Sequence, residues 1–443
     1  MIKKNADILI KNGLIITMDA DGRIIEGGLI AISGAKIAGV DSKETLSSWK
    51  AEEEIDAKGC IVMPGLVNTH THLPMSLFRG LADDLPLMTW LNDYIFPAEG
   101  KYLSPETVKA GTCLSCAEML LGGITTVCDG YFYEDHVAEA VLASGLRAVL
   151  AQGVIDYPAP GAPDPQKNIH VAMGYADKWK ERSSLISPSI FCHSPYTCST
   201  ETLKKAKQAA CERNLLFQIH AAETNFEWET IQKEHGKTPI QYLDSLELLD
   251  EHTLLVHAVH VDGNDISTIA KRKSAVSHNP ESNMKLASGI SPTSDLLAEG
   301  IRVGLGTDSS ASNNDLDLFS EMGSAAKLHK IHQMDPTAMK AEDVVKMATI
   351  GGSNAIGLGS ITGSLETGKQ ADIIIIDTRK PHLTPMYHPL SHLVYTVKSS
   401  DVRDVMVAGK LLVRRRHLLS LDMNAVMDDV MIVRNTIVGK DQK

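Results

Sequence analysis

The sequence lacks an uninterrupted apolar run of about eighteen residues, the length that a membrane-spanning helix needs. Its first residues, 1–7, also lack a long apolar stretch with a small-residue cleavage site, and they lead into the alternating pattern that is typical of strands. We therefore expect no signal peptide, no membrane partner and a cytoplasmic location.

Positive charge is in deficit, since 43 Lys and Arg residues against 55 Asp and Glu residues give a formal net charge of −12. Such a surface repels a phosphate backbone, and we find no basic stripe interleaved with aromatic residues. The one cationic run, 414–416, is more typical of a solvated turn or strand edge. We expect no nucleic-acid partner.

Cysteine is scarce, and the seven cysteines form an odd, scattered set instead of a disulfide framework. This usage is typical of buried thiols in a reducing compartment. Cys113 and Cys116 form a Cys-x-x-Cys pair within a helical stretch, where the spacing places both on one face. Core packing is therefore favoured over metal or redox chemistry for this pair.

What is present is a globular composition, with 43% hydrophobic and 22% charged residues in a chain of 443. Residues 1–60 contain short β-like runs whose turn signals, Asn12-Gly13 and Asp21-Gly22, predict hairpins. Residues 366–443 show a similar texture, followed by a terminal helix. Neither piece has enough strands to bury a core alone, so we expect them to combine into one small β-sandwich.

Between these pieces, residues 61–365 alternate short apolar strands with helical segments, the pattern of parallel βα units. Eight strands are predicted, the number that a closed (β/α)₈ barrel requires. They span 61–69, 124–128, 147–153, 189–192, 215–219, 253–256, 274–277 and 302–306.

Histidines and acidic residues follow the ends of these strands, where the loops of such a barrel converge on an active site. Taken alone, any one of the histidines is better explained as a satisfied core or rim residue, so the evidence is their joint placement. The residues are His70, His72, Asp129, His193, His220, His257, His278 and Asp308.

His70 and His72 lie two apart on extended chain, so their side chains leave the same face and can reach one ion. The apolar run 61–67 before them predicts that they are carried into the barrel mouth. Neutral imidazoles plus one carboxylate suit Zn²⁺, with Fe²⁺ as the alternative, and His220 and Asp308 can complete the set. We expect one divalent metal that lowers the pKa of a bound water.

Glu223 follows His220 by three residues, where a strand gives way to its loop. A carboxylic acid beside the metal can protonate a ring nitrogen of a substrate, and the spacing of Glu223 from a predicted ligand favours this role over a solvated loop acid. His257 would face the same cavity and stabilise the intermediate, and Asp308 can accept the proton of the water. These parts predict metal-assisted addition followed by loss of ammonia.

The same residues resemble the amidohydrolase superfamily, and within it the 5′-methylthioadenosine/S-adenosylhomocysteine deaminases. The similarity covers essentially the whole chain and implies hydrolytic deamination of an adenine nucleoside to its inosine analogue. It implies His70, His72, His220 and Asp308 as metal ligands and Glu223 with His257 as the acid/base pair. The resemblance rests on Pro64-Gly65-Leu66-Val67-Asn68-Thr69-His70-Thr71-His72, His220-Ala221-Ala222-Glu223, Val276-Ser277-His278-Asn279-Pro280-Glu281-Ser282-Asn283-Met284-Lys285-Leu286 and Gly306-Thr307-Asp308-Ser309-Ser310-Ala311-Ser312-Asn313-Asn314.

The resemblance also implies substrate contacts. Glu99 matches a ribose-hydroxyl ligand, His193 a second nucleoside contact, and Trp90 a wall of the base pocket. Because the fourth strand is followed by His193 and contains no lysine that would bridge a second ion, one metal per subunit is implied. Ser312, Gln152, Glu223 and Asp308 join the substrate contacts.

One departure from the family pattern concerns the 5′ end of the nucleoside. Arginines that clamp the carboxylate of S-adenosylhomocysteine are expected near the third strand, but Gln152 stands at the first such position and no cation lies between it and Lys167. With an apolar, proline-rich loop over 154–164, we expect 5′-methylthioadenosine, 5′-deoxyadenosine or adenosine to be preferred.

Two alternatives stay open at this point. In the first, this protein is an enzyme of the same branch that acts on another ring, either by deaminating guanine or by dechlorinating an s-triazine. In the second, of a different class, it is a non-catalytic barrel scaffold. Glu223 and Glu99 favour the nucleoside, and the full set of ligands opposes the scaffold. The sequence leaves the oligomeric state open, including a homo-oligomer.

Overall fold

A computed structural model describes residues 4–42, 44–45 and 48–441, so parts of the predicted terminal segments, including residues 1–3, lie outside the described residues. The strands are β1 (Lys4–Ile16), β2 (Ile24–Ser33), β3 (Lys36–Asp41), β4 (Trp49–Asp56), β5 (Cys60–Pro64), β6 (Leu66–Thr71), β7 (Ile124–Tyr131), β8 (Arg147–Val154), β9 (Ile186–Pro188), β10 (Ile190–Cys192), β11 (Phe217–Ala221), β12 (Thr253–His257), β13 (Ala275–His278), β14 (Val303–Leu305), β15 (Ile373–Asp377), β16 (Val402–Val407), β17 (Lys410–Arg414) and β18 (His417–Leu418).

The helices alternate with the middle strands and also follow them. They are α1 (Leu87–Thr89), α2 (Phe96–Tyr102), α3 (Pro105–Leu121), α4 (Glu134–Ser144), α5 (Asn168–Trp179), α6 (Thr200–Arg213), α7 (Asn225–His235), α8 (Pro239–Ser245), α9 (Gly263–Arg272), α10 (Pro280–Lys285), α11 (Thr293–Ala298), α12 (Leu318–Gln333), α13 (Ala341–Met347), α14 (Ile350–Ala355), α15 (Pro389–Tyr395) and α16 (Met423–Asp441). None of those described is long and apolar enough to cross a membrane.

Strands from the two ends of the chain form one mixed sheet of nine strands, ordered β18-β17-β16-β15-β5-β1-β2-β3, with β4 paired to β1. Its core is made of β-branched side chains that the pleat sends to one face, such as Ile10, Ile30 and Ile375, which are at most 2% exposed. The expectation that the two terminal pieces combine is confirmed.

The predicted hairpin turn at Asn12-Gly13 is wrong. Strand β1 runs through this point, and its pairing with β2 shifts register on both sides of Gly13. Asn12 has a left-handed backbone (φ 66°), and a side chain at Gly13 would approach Val62 to 2.6 Å, so the pair forms a bulge. The Asp21-Gly22 turn lies between β1 and β2 as predicted.

The middle of the chain forms the predicted (β/α)₈ barrel, which is confirmed as a closed parallel sheet. The closing contact pairs Leu305 of β14 with Asn68 of β6. Strands β9 and β10 are separated by Ser189 alone and both pair with β8, so together they occupy the fourth position. Every residue of β6, β7, β8 and β11 is buried, as helices on the outside of a barrel require.

The predicted first barrel strand, 61–69, is two strands. Its first half is β5 of the mixed sheet, and the barrel begins only at Leu66. The break is at Gly65, where a Cβ would lie 2.1 Å from the side chain of Thr125, so that close approach requires glycine.

The chain divides into two compact units, each made of three sequence segments. One comprises Met1–Val67, Glu118–Thr126 and Asp317–Ser420, and the other comprises Asn68–Ala117, Val127–Leu316 and Leu421–Lys443. The second unit contains every residue of the site described below. The division of the chain at residues 60 and 365 stays a prediction.

Candidate active site

The predicted metal ligands come from strand ends around the barrel mouth. His70 lies at the end of β6 with His72 just beyond it, β11 carries His220, and Asp308 follows β14. The backbone at Asp308 is left-handed (φ 56°), a costly conformation for a residue with a side chain, which the surrounding structure must impose. The strand ends therefore aim these side chains at one point.

Their coordinating atoms lie close together. His70 Nε2 is 3.2 Å from His220 Nε2 and 3.4 Å from Asp308 Oδ1, and His72 Nε2 is 3.5 Å from the same carboxylate oxygen. The ligand atoms of His70, His72 and His220 all lie within 4.8 Å of one another. This spacing leaves room for a single ion between them.

The protonation states of these residues fit a cation. His72 Nδ1 must donate its proton to the carbonyl oxygen of Gly130 at 2.7 Å, so in the neutral ring the Nε2 lone pair faces Asp308. Burial lowers the pKa of His70 to about 4 and lowers that of His72 and, more strongly, of His220, which keeps the rings neutral. Lone pairs and a carboxylate that face one another repel, and a divalent cation removes that repulsion.

Asp308 is held on both oxygens. Burial opposes its charge, yet contact with His70 holds the pKa of its carboxyl well below the usual range. Oδ1 accepts a hydrogen bond from the backbone N–H of Ser309 at 2.7 Å, and Oδ2 accepts one from the hydroxyl of Ser282 at 2.6 Å. The carboxylate is thereby fixed in position as well as in charge.

Glu223 faces His257 across the cavity, with Glu223 Oε2 3.9 Å from His257 Nε2. Burial raises the pKa of Glu223, which favours the protonated acid. The backbone beside it is held by Glu227, whose carboxylate accepts hydrogen bonds from the N–H groups of Ala222 at 2.7 Å and Glu223 at 3.0 Å. Glu223 therefore combines a raised pKa with a fixed backbone, two properties that suit a general acid.

His257 is oriented from behind. Its Nδ1 lies 2.9 Å from Oδ1 of Asn283 and 3.2 Å from Nδ2 of Asn279, and all three residues are buried. The shorter contact requires a proton on Nδ1, which leaves Nε2 as the acceptor that faces the cavity. The left-handed backbone of His257 (φ 78°) is the second strained strand end of the site.

A cavity of about 550 Å³ opens above the ligand cluster. It brings together most of the site residues predicted from the sequence, while His70 lies fully buried beside it. The predicted residues that line it are His72, Trp90, Glu99, His193, His220, Glu223, His257, Asp308 and Ser312.

Two of these lining residues have defined partners here. The indole Nε1 of Trp90 donates to the carbonyl oxygen of Ala82 at 3.0 Å, and the hydroxyl oxygen of Ser312 lies 3.1 Å from that of Ser282. Burial lowers the pKa of His193 to about 4, so this ring is neutral. Trp90 is only 6% exposed and offers its ring to the cavity as an apolar wall.

Glu99 of α2 is the second buried acid of the cavity. Burial raises the pKa of its carboxyl to about 7, although a hydrogen bond from Tyr131 opposes the rise. Tyr131 is the last residue of β7; it is 4% exposed and also lines the cavity.

The structure does not bring Gln152 to this cavity, contrary to the expectation of a substrate contact. Its side-chain oxygen accepts a hydrogen bond from the backbone N–H of Glu134 at 3.2 Å, and it lines a smaller cavity that also includes Tyr133 and Tyr175. Side chains alternate along a strand, so Gln152 leaves β8 on the side that faces α4 and α5.

Sequence reasoning missed several residues that hold the site in place. The acids and amides were visible in part, because Glu227 follows Glu223 by one helical turn and Asn283 lies in a recognised motif. Lys285 lies in the same motif, whereas Tyr131 gave no comparable signal. The missed residues are Tyr131, Glu227, Asn279, Ser282, Asn283 and Lys285.

A histidine and carboxylate cluster at the carboxyl ends of the strands of a (β/α)₈ barrel defines a metal-dependent barrel enzyme. A family model for the amidohydrolase family matches residues 61–412, and the chain belongs to that family. The resemblance expected from the sequence is confirmed.

Several known proteins are similar over nearly the whole chain. A 5-methylthioadenosine/S-adenosylhomocysteine deaminase of Syntrophobacter fumaroxidans is 45% identical over 99% of this chain and 100% of its own. A 5′-deoxyadenosine deaminase of Methanothermobacter thermautotrophicus is 44% identical over 96% and 97%. The crystal structure of an adenosine deaminase from Xanthomonas campestris with bound zinc is 35% identical, with a TM-score of 0.96 over 99% of this chain and 100% of that one.

Proposed function

We propose that this protein is a hydrolytic deaminase of adenine nucleosides that carry a small, uncharged 5′ end. The products are the corresponding inosine analogue and ammonia. The observation that carries the proposal is the juxtaposition of Glu223, whose pKa is raised by burial, and a three-histidine, one-carboxylate cluster at one nucleoside-sized cavity. The deaminases similar to this chain, each named for an adenine nucleoside, support the same reaction.

His70, His72, His220 and Asp308 would hold one divalent metal, for which Zn²⁺ is the choice because neutral imidazoles plus a carboxylate suit it. The similar adenosine deaminase carries zinc. When bound, such an ion lowers the pKa of water to about 7 and so supplies a nucleophile at neutral pH.

The chain's own residues then move protons. Glu223 donates its carboxyl proton to a ring nitrogen of the adenine, which makes the adjacent carbon electrophilic. Asp308 accepts the proton of the attacking water, and His257 Nε2 accepts a hydrogen bond from the oxygen that adds to the ring. Asp308 then passes its proton to the amino group, and the added hydroxyl returns a proton to Glu223 as the carbon–nitrogen bond breaks and ammonia leaves. Burial raises the pKa of Glu223, which favours the protonated form that this donation requires.

Glu99 is placed in this proposal as the acceptor for the ribose hydroxyls, with His193 as a further nucleoside contact and Trp90 as a wall of the base pocket. Glu99 supplies a buried carboxyl whose other oxygen stays available when Tyr131 donates to Oε1. A diol that donates two hydrogen bonds to such a carboxylate favours its ionised form.

The walls of the cavity favour a small, uncharged 5′ substituent on the nucleoside. No lysine or arginine is among the described residues that line it, so nothing there pairs with the carboxylate of S-adenosylhomocysteine. The wall instead contains Ile155, Tyr157, Pro158, Ala159 and Pro160 of the loop after β8, which offer apolar surface to a methylthio or methyl group.

A nucleoside panel tests the proposal. We expect kcat/KM, followed by loss of the adenine ultraviolet chromophore, to be higher for 5′-methylthioadenosine, 5′-deoxyadenosine and adenosine than for S-adenosylhomocysteine. A clear preference for S-adenosylhomocysteine contradicts the 5′ assignment. Ammonia release from guanine, or chloride release from an s-triazine, without activity on any adenine nucleoside contradicts the reaction itself.

Seven free cysteines are consistent with a reducing compartment, so we place this activity in the cytoplasm. A single readout tests this location, namely the distribution of the protein after cell fractionation. Recovery from an oxidising compartment contradicts it.

A further inference from the structure

Lys285 ends α10, and its ammonium group contacts oxygen atoms of two other loops. Nζ donates to Oδ1 of Asp83 at 2.6 Å and to the carbonyl oxygen of Ala311 at 3.0 Å, and a further short hydrogen bond joins it to Oδ1 of Asn314. An ammonium group has three protons, so these three acceptors satisfy it completely. Asp83 follows β6 in the chain, whereas Ala311 and Asn314 follow β14.

The contacts continue from Asp83 into the cavity. Ala82, the preceding residue, accepts the 3.0 Å hydrogen bond from Nε1 of Trp90, and Trp90 lines the cavity. The second oxygen of Asp83 accepts from Nδ2 of Asn314 at 3.3 Å. Lys285 and Asn314 therefore both bind the carboxylate of Asp83. The preceding residue, Ala82, accepts the hydrogen bond that fixes the Trp90 ring.

The same helix also holds two groups at the centre of the site. Ser282 donates to Asp308 Oδ2 at 2.6 Å, and Asn283 Oδ1 lies 2.9 Å from His257 Nδ1. Within four residues, α10 thus contacts the carboxylate of the ligand cluster, the cavity histidine and the segment that carries Trp90. A helix of this kind fixes the distance between the reacting groups and the wall of the base pocket.

We propose that Lys285 is a positioning residue that holds segment 79–102, and with it Trp90, against the substrate through Asp83 and Ala82. The side chains of Lys285 and Asp83 are 23% and 35% exposed, so solvent screens the ion pair and its contribution is to geometry more than to stability. The part of this inference that concerns a nucleoside rests on the proposed function. The part that concerns the segment does not.

Lys285→Met tests the role, because it removes the ammonium group and keeps most of the apolar stem. We expect KM for 5′-methylthioadenosine to rise about tenfold, from the loss of charged hydrogen bonds, with kcat changed by less than about twofold. Metal content is expected to stay the same. Amide hydrogen exchange, measured without substrate, is expected to speed up in peptides that cover 79–102 and nowhere else.

Asp83→Asn is the second variant, and it loses the same contact from the other side. If both act through one contact, the double variant raises KM no further than Lys285→Met alone. Lys346→Met is the matched control, because Lys346 forms an exposed ion pair with Glu342 at 2.7 Å in the other compact unit, and we expect it to change neither KM nor exchange over 79–102.

Wild-type exchange over 79–102 in both variants overturns the positioning role, as do additive effects on KM. Should Lys285→Met fail to fold, Asp83→Asn carries the same test with a smaller perturbation. If exchange over 79–102 rises but the wild-type protein deaminates no adenine nucleoside, the proposed function fails while the positioning role stands.

Discussion

Tyr131 donates a hydrogen bond of 2.5 Å from its phenol to Oε1 of Glu99, and both side chains are buried at the cavity wall. The contact joins the end of β7 to α2, and the two residues are 32 positions apart in sequence. It supplies the one hydrogen bond that opposes the effect of burial on the pKa of Glu99. Tyr131 thereby sets both the orientation and the charge of the proposed ribose acceptor.

Tyr131→Phe removes this hydrogen bond and keeps the ring. We expect KM for adenine nucleosides to rise by about tenfold, the usual effect of losing a hydrogen bond to a charged group, with a smaller effect on kcat. Steady-state kinetics on 5′-deoxyadenosine measure it. Tyr387→Phe, at a tyrosine that is 81% exposed, is the control. An unchanged KM in Tyr131→Phe means that Glu99 does not depend on Tyr131.

Glu223→Gln keeps the shape of the proposed acid but removes its proton. We expect kcat to fall by about 10²–10⁴-fold, the contribution of a general acid/base, while metal content stays at the wild-type level. Single-turnover kinetics together with metal analysis measure both quantities. Glu229→Gln, at an exposed acid of α7, is the control. Wild-type turnover in Glu223→Gln removes Glu223 from the mechanism.

His70→Ala removes one ligand from the centre of the cluster, where its Nε2 contacts both His220 and Asp308. We expect metal occupancy of the purified protein to fall and activity to fall with it, because a three-ligand site binds more weakly. Elemental analysis before and after reconstitution with Zn²⁺ measures this. The exposed His170 on α5 offers the control His170→Ala. Full occupancy in His70→Ala contradicts the assignment of the ligand.

Glu99→Gln tests the charge of the cavity through stability. The folded protein raises the pKa of Glu99 from 4.5 to about 7, because of burial, so it holds this proton more tightly than the unfolded chain does. The stabilising effect of that proton is complete below pH 4.5 and is lost as the pH rises towards 7.

Glutamine cannot ionise, so Glu99→Gln avoids this loss. We expect the difference in Tm between the variant and the wild type to increase between pH 4.5 and about 7 in favour of the variant, and then to level off. Calorimetry in the absence of substrate measures it. A difference that is constant with pH contradicts the raised pKa.

Gln152→Ala tests whether Gln152 lies outside the nucleoside site, as its position in the structure indicates, or contacts the substrate, as the resemblance implies. Because Gln152 lies outside the main cavity and contacts Glu134, we expect KM for nucleosides to stay within about twofold of the wild type and the free energy of unfolding to fall by about 1 kcal/mol. Kinetics and denaturant unfolding give the two numbers. An increase in KM without loss of stability favours the original assignment.

The barrel was predictable, and the residues proposed as metal ligands could be selected, because their signals are local. Apolar strands alternating with helical segments require a parallel sheet, and a His-x-His pair at a strand end needs no knowledge of distant residues. Glu223 was found for the same reason, since it follows His220 by three residues. These features depend on the period of the chain and on the convergence of loops at one end of a barrel.

Local signals also misled where glycine changes the path of the backbone. Asn12-Gly13 has the composition of a hairpin turn but forms a bulge, and the apolar run 61–69 is divided at Gly65 between two sheets. In both places a close neighbour, Val62 or Thr125, occupies the space of a Cβ. The sequence shows that a glycine is present at each place. It does not show which neighbouring side chain leaves no room for a Cβ there.

The sequence by itself therefore determined the class of fold, and it picked out the histidines and the aspartate that the structure brings together as the proposed ligand cluster. Only the tertiary structure decided that Gln152 faces away from the cavity, because a shift of one residue along a strand reverses the side. It also decided that Tyr131 holds Glu99 and that Lys285 holds Asp83, 202 residues away. Such contacts arise only when loops from different strands close over the same barrel mouth, and no local pattern in the chain encodes that meeting.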